Sequence, residues 1–236
     1  MRKILLAGLF SIVVSVAAAQ QMEANLLFTK LRSKIDAVKD YVATVDMKID
    51  VSFIKVPKLK GKLYFKAPDK MKLERNGGIS ILPKNSINMT VNNLLPASGA
   101  TVIDAGADNI KGTPVRVLKV IPDTETDIVL SKIWVDEKRL LVLKTETTTR
   151  DNGTVKMELE FGKFEKQALP DRVTFYLDVK DFKLPKGVTM DYETNQQPAP
   201  KPEEKGKMKK GKILINYLDY TVNKGIADNV FAENKK

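Results

Sequence analysis

The sequence predicts an α+β fold: a large, strongly bent antiparallel sheet of nine to eleven strands, partnered by one long helix. Three observations carry that expectation. A helical period over residues 22–38 gives way to an alternation of period two at Tyr41; hairpin turns then recur between alternating segments; and no second long helical stretch separates them, which rules against a parallel α/β arrangement. The chain has 236 residues, 43% of them hydrophobic, enough for one large core. No fixed repeat or composition break divides residues 20–236, which are read as a single domain.

Residues 1–19 stand apart. Arg2 and Lys3 precede an apolar run over 4–16, relieved only by Gly8, Ser11 and Ser15, and Ala17-Ala18-Ala19 follows. This is the pattern of a secretory signal peptide cleaved after Ala19. The run is too short to span a bilayer comfortably, so the expectation is an exported, soluble chain, free in the periplasm. No cysteine follows the run to carry a lipid. With no cysteine anywhere, stability must come from burial instead of disulfides. Loss of Arg2 and Lys3 lowers the formal charge of +11 by two, to +9, most of it lysine scattered over strand positions. Such a face suits anionic headgroups or acidic partners. Few arginines and no aromatic–basic module speak against nucleic acid.

In residues 22–38, Leu27, Leu31, Ile35 and Val38 fall on one helical face, while Lys30, Arg32, Lys34, Asp36 and Lys39 face away. The apolar stripe is narrow and bulky interfacial aromatics are few, so it is expected to pack on a sheet and not on a membrane. From Tyr41, the residues Ala43, Val45, Met47, Ile49, Val51 and Phe53 alternate with Thr44, Asp46, Lys48, Asp50 and Ser52 as one long strand. Pro57-Lys58 turns into the stretch LKGKLYFKAPDKM (59–71), with Leu59, Leu63 and Phe65 on one face and Lys60, Lys62 and Lys66 on the other. Pro68-Asp69 turns again into a strand bearing Met71, Leu73 and Arg75, and Asn76-Gly77-Gly78 makes a further turn.

The segment 79–112 is rich in Pro and Gly and reads as short strands at 79–82 and 87–91 with a helical turn near 102–110. Regular strands resume at 115–121, 128–135, 140–150, 155–164 and 173–179, joined by polar hairpin turns. Residues 195–212, rich in Pro, Lys and Glu with almost nothing to bury, predict a flexible loop. A last strand at 213–222 and a closing tail at 223–231 complete the domain.

Absence of histidine and cysteine removes imidazole bases, thiol nucleophiles and ordinary zinc sites, and no nucleophile elbow or phosphate loop is present. Asp123, Glu125 and Asp127 alternate as calcium ligands might be spaced, but the turn glycine and distal glutamate of a calcium loop are missing, so a solvated hairpin turn is expected. Asp104 and Asp108 read as helix-capping or turn residues, and Asp136-Glu137 as a hairpin tip. No catalytic residue, metal or cofactor is expected. What remains is the apolar face. A bent sheet with one helix to cover it either closes on a packed interior or leaves a cavity.

The run 31–41 (LRSKIDAVKDY), the alternating strand after it, and Gly61-Lys62-Leu63-Tyr64-Phe65-Lys66-Ala67-Pro68 resemble the amino-terminal part of the LolA family of periplasmic lipoprotein carriers. So do Ile133-Trp134-Val135-Asp136 with the Asp151-Asn152-Gly153 hairpin, and the closing segment YLDYTVNKGIADNVF (217–231). The resemblance implies an open, incomplete antiparallel β-barrel, a half-barrel, with helices over its mouth enclosing an apolar cavity. It also implies a monomer that holds acyl chains of lipoproteins or other lipids between inner- and outer-membrane lipoprotein machinery. The inward positions expected to hold lipid are Val45, Met47, Ile49, Val51, Phe53, Leu63, Phe65, Met71, Leu73, Trp134, Met157, Leu159 and Phe161. The methionines suit an adaptable lining and equally suit core filling. Two positions depart from the family pattern. Ala67 stands where the family has an arginine that helps to hold its lid, and the strand after Asn76 lacks the family's aromatic residues. A lipid-sensing or regulatory module of the same fold is the alternative.

Overall fold

The computed structural model describes residues 21–51, 54–55, 58–75, 95, 99–123, 127–150, 153–179 and 209–232. Residues 21–36 form the helix α1, and eleven strands follow. They are β1 (Asp40–Val51), β2 (Ile54–Lys55), β3 (Leu59–Lys66), β4 (Lys70–Arg75), β5 (Ala100–Ile110), β6 (Thr113–Pro122), β7 (Ile128–Asp136), β8 (Leu141–Thr149), β9 (Gly153–Glu160), β10 (Arg172–Val179) and β11 (Lys209–Val222). Single 3-10 turns lie at Glu165–Gln167 and Asp228–Phe231.

All the strands belong to one antiparallel sheet in the order β4-β3-β1-β11-β10-β9-β8-β7-β6-β5, with β2 folded back on β1. The chain lays down β1, β3 and β4, crosses to the far edge at β5, and returns hairpin by hairpin to β10. The fourteen-residue β11 then slots between β10 and β1 and joins the two groups. Among the described residues no pairing links the edge strands β4 and β5, so the sheet is an open half-barrel, as expected.

The core lies between the inner face of this sheet and α1. Ala24, Leu27, Leu31 and Ile35 of the helix and Val38 just beyond its end are buried and form one cluster with the buried residues of the strands. The Leu, Ile and Val side chains among them, buried at ~1.5–3 kcal/mol each, account for most of the attachment of α1. Its polar ties to the described chain include bonds from Arg32 Nη1 to the Leu95 carbonyl at 3.0 Å, from Lys34 Nζ to the Arg139 carbonyl at 2.7 Å, and from Gln21 Nε2 to the Val102 carbonyl, and an ion pair of Glu23 with Arg116 at 3.9 Å.

A reciprocal clasp fastens the closing segment to the start of β1. Asn223 accepts from the Lys39 N–H at 2.7 Å and donates to the Ala37 carbonyl at 2.9 Å. The Asp40 carboxylate in turn accepts from the N–H groups of Lys224 (3.0 Å) and Gly225 (3.1 Å). The turn needs positive φ at Asn223 (53°) and Gly225 (81°), which explains an Asn and a Gly at these positions. Beyond it Asp228 accepts from Lys66 and Lys70, both at 2.9 Å, and these bonds hold its carboxyl at about 2.

Two sequence expectations are corrected. The helical turn near 102–110 is instead part of β5, paired with β6 and interrupted by a bulge between Asp104 and Ala107. Its Asp and Gly residues look like local capping signals. Asp104 does bond the Gly106 N–H at 2.8 Å, but as part of the bulge, and pairing with β6 overrides local propensity. The last strand starts at Lys209 and not at 213, because its backbone ladder to β10 needs no apolar side chains and runs on to Lys209 opposite Val179. The expected signal peptide, Phe53, the strands at 79–82 and 87–91, and residues 195–208 of the expected loop lie outside the described residues.

Candidate functional site

Directly opposed residues of an antiparallel pair share a face, so the register traces the inner surface from one edge to the other. Leu73 and Met71 of β4 oppose Leu63 and Phe65 of β3, which oppose Ala43 and Tyr41 of β1. Met47 and Val45 of β1 oppose Ile215 and Tyr217 of β11; Ile215 and Ile213 of β11 oppose Val173 and Phe175 of β10, which oppose Leu159 and Met157 of β9. Across β3, β1, β11, β10 and β9 this surface is unbroken hydrocarbon and aromatic ring. Gly61 of β3 is also part of it. A β-carbon there would overlap the carbonyl oxygen of Glu74, so the glycine lets β4 approach closely.

Of the residues expected to face inward, Val45, Met47, Leu63, Phe65, Leu73, Met157 and Leu159 are brought together here and buried, while Met71 and Phe161 are half-buried against the same cluster. Ile49 and Val51 continue the same register in β1, opposite Ile213 and Gly211. Phe65 and Met157 are 0% exposed, so in this structure they have neighbours on every side.

Trp134 does not belong to the set. It pairs with Val117 and Lys144, and its neighbours Ile133 and Val135 are the inward residues of β7, so Trp134 lies on the outer face. It is buried there by lysines: Lys144 Nζ lies 3.8 Å and Lys132 Nζ 4.5 Å from the ring centre. Its indole N–H donates to Asp108 at 2.8 Å, and this bond holds the Asp108 carboxyl below its ordinary value. Asp108 is therefore a strand residue tied to Trp134 and not a cap. Asp104 is similarly paired, accepting from Arg116 at 3.0 and 2.5 Å. Asp136 does sit at a hairpin tip. Burial pushes its carboxyl up, but two backbone N–H groups and the Arg139 guanidinium outweigh that and leave it below the usual range.

Sequence reasoning missed an aromatic cluster at one end of the inner face. Tyr41 stacks on Phe65 at 5.1 Å and meets Tyr220 edge-on at 5.3 Å. Tyr217 stacks on Tyr220 at 5.2 Å, and Phe164 closes the group at 5.1 Å from Tyr220. Tyr220 donates to the Pro170 carbonyl at 2.7 Å. Burial pushes the hydroxyls of Tyr41, Tyr217 and Tyr220 upward, so these rings stay neutral. A register shift in the β1–β11 pairing, where Thr44 opposes Asp219 but Val45 opposes Tyr217, brings Tyr217 and Tyr220 to one face. Simple alternation would have separated them.

Ala67 is half-buried against the core and donates its N–H to the Lys39 carbonyl at 2.8 Å. A basic residue does lie near the helix from another strand: Arg116 of β6, held by Asp104, reaches within 3.9 Å of Glu23 on α1. No described helix is long and apolar enough to cross a membrane.

No protein-family profile matches the chain, and no curated protein matches it in sequence. Solved structures do match in fold. A domain from Vibrio parahaemolyticus ascribed to outer membrane lipoprotein sorting is similar at a TM-score of 0.55 and 12% identity, over 89% of this chain and 97% of its own. A DUF1329 family protein from Desulfovibrio piger is similar at 0.53 and 13%, over 90% and 97%. A LolA superfamily protein from Nitrosomonas europaea is similar at 0.52 and 10%, over 87% and 97%. The chain has a LolA-like fold.

Proposed function

We propose that the protein is a periplasmic carrier or binding protein for lipidated ligands, of the kind used in outer-membrane lipoprotein sorting. The acyl chains would be held between α1 and the inner face of the sheet. The observation that supports this reading most is the continuous apolar surface across β3, β1, β11, β10 and β9, covered on the described chain by the apolar face of one helix. At ~0.8 kcal/mol per methylene, a sixteen-carbon chain gains about 12 kcal/mol on leaving water. That is comparable to the apolar contacts α1 makes, so chains can exchange with the helix at modest net cost. The similarity to a domain ascribed to lipoprotein sorting, together with the export signal read at residues 1–19, supports a periplasmic setting with loading and accepting partners at the two membranes.

Co-purification with lipid, identified by mass spectrometry, and displacement of a fluorescent fatty-acid probe are the expected results. Repeated absence of both would overturn the carrier reading. A second reading, a lipid-sensing or regulatory module of the same fold with a filled core, is favoured by the close packing of Val45, Phe65, Met157 and Phe175, all 0% exposed. That module would act through a protein partner and have no transport role.

A further inference from the structure

The inner face changes character beyond β9. Thr145 and Thr147 of β8 oppose Met157 and Val155, and Ser131 of β7 opposes Thr147, so three Ser and Thr hydroxyls enter the inner face beside the aliphatic residues of β9. All three are buried. Ser131 and Thr147 bond one another at 3.1 Å. Thr145 stands between Ile133 and Met157, is 1% exposed, and its Oγ1 has no hydrogen-bond partner among the described residues. Buried hydroxyls are normally satisfied, and a lone one opposes folding. Valine would fit the same β-branched space at no such cost, so the hydroxyl needs a reason from outside the chain.

We propose that Thr145 is the polar subsite of the acyl-binding face and donates its Oγ1 hydrogen to the carbonyl oxygen of an acyl ester. This inference rests on the lipid-carrier reading above. A carbonyl is the group that fits: it accepts one hydrogen bond and carries no charge to bury. Ser131 and Thr147 bond one another, whereas Thr145 Oγ1 has no partner among the described residues, so Thr145 is taken as the donor. With the ester at Thr145, the methylene tail would follow the row Met157, Phe175 and Ile213 on the neighbouring strands. The ligand class is therefore an O-acyl lipid, as opposed to an alkyl ether or a bare hydrocarbon.

The test compares palmitoyl lysophosphatidylcholine with its hexadecyl ether analogue, and a dipalmitoylglyceryl lipopeptide with its dialkyl ether analogue. Each competes with a fluorescent fatty-acid probe on the mature chain. The wild type is expected to bind each ester about five- to tenfold more tightly than its ether, the worth of one hydrogen bond. In Thr145→Val the ratio should fall to about one with ether binding unchanged. The ester pair with the larger ratio tells whether a phospholipid or a lipoprotein supplies the acyl group. Thr145→Val should also melt at the same temperature as the wild type or higher. Equal binding of ester and ether by the wild type overturns the subsite and leaves the carrier reading standing. A lower melting temperature in Thr145→Val means that the hydroxyl has a partner within the chain, and overturns the subsite too. Failure of all four lipids to bind overturns the carrier reading, and the subsite with it.

Discussion

Phe65 and Trp134 are almost equally buried, at 0 and 3% exposed, yet they lie on opposite faces of one sheet. Phe65 is surrounded by other core groups: it stacks on Tyr41 and stands opposite Met71. Trp134 is covered from outside by the ammonium groups of Lys132 and Lys144 over its ring, with its one polar atom bonded to Asp108. A side chain can therefore leave water without lying on the inner face, because cations set over an aromatic ring cover it while being attracted to it. On this sheet, burial does not tell inside from outside; register does.

Three substitutions sharpen or break that contrast. Phe65→Ala should have the largest effect, a loss of about 3–5 kcal/mol in urea unfolding, because a tightly packed interior cannot collapse around the cavity. A loss below about 1 kcal/mol would mean that the inner face is loosely filled, and the contrast with Trp134 would fail. Trp134→Ala should cost less, about 2 kcal/mol, since its lysine cover can fold down over the gap or yield to water. A cost equal to that of Phe65→Ala would place Trp134 energetically within the core. The smallest effect belongs to Trp134→Phe, which keeps the ring and removes the indole N–H. The Asp108 carboxyl, held down chiefly by that N–H, should rise toward its ordinary value of 3.8 in an NMR titration. A depressed folded-state value stabilises the native chain above the ordinary value, and that stabilisation is lost as pH falls through the depressed one. The variant should therefore lose the part of the acid sensitivity that this carboxyl carries. An unchanged titration would mean that the indole bond does not set it.

The contrast also explains which site residues were legible in the sequence. Val45, Met47, Leu63, Phe65 and Leu73 alternate with polar residues, and such alternation can be satisfied only with the apolar side inward. Ile133, Trp134 and Val135 are three apolar residues in a row, so no local period assigns their faces. Their assignment comes from pairing with β6 and β8. Thr145 and Thr147 were invisible for the complementary reason: threonine favours strands on either face, and nothing local marks a buried hydroxyl. Tyr217 and Tyr220 were hidden by the register shift between β1 and β11.

By itself the sequence determined the kinds of element and most of their inward faces. It also determined the chemistry that a chain without histidine or cysteine cannot perform. These depend on periods of two and 3.6 residues and on composition, both local properties. The tertiary structure alone decided that β11 joins β1 to β10, that 100–110 is an edge strand among the described residues, that Trp134 lies outside, and that the Thr145 hydroxyl stands in the interior without a partner among the described residues. Each of these depends on which distant strand lies alongside. Val51, for example, pairs with Gly211, a partner far along the chain that no local pattern specifies.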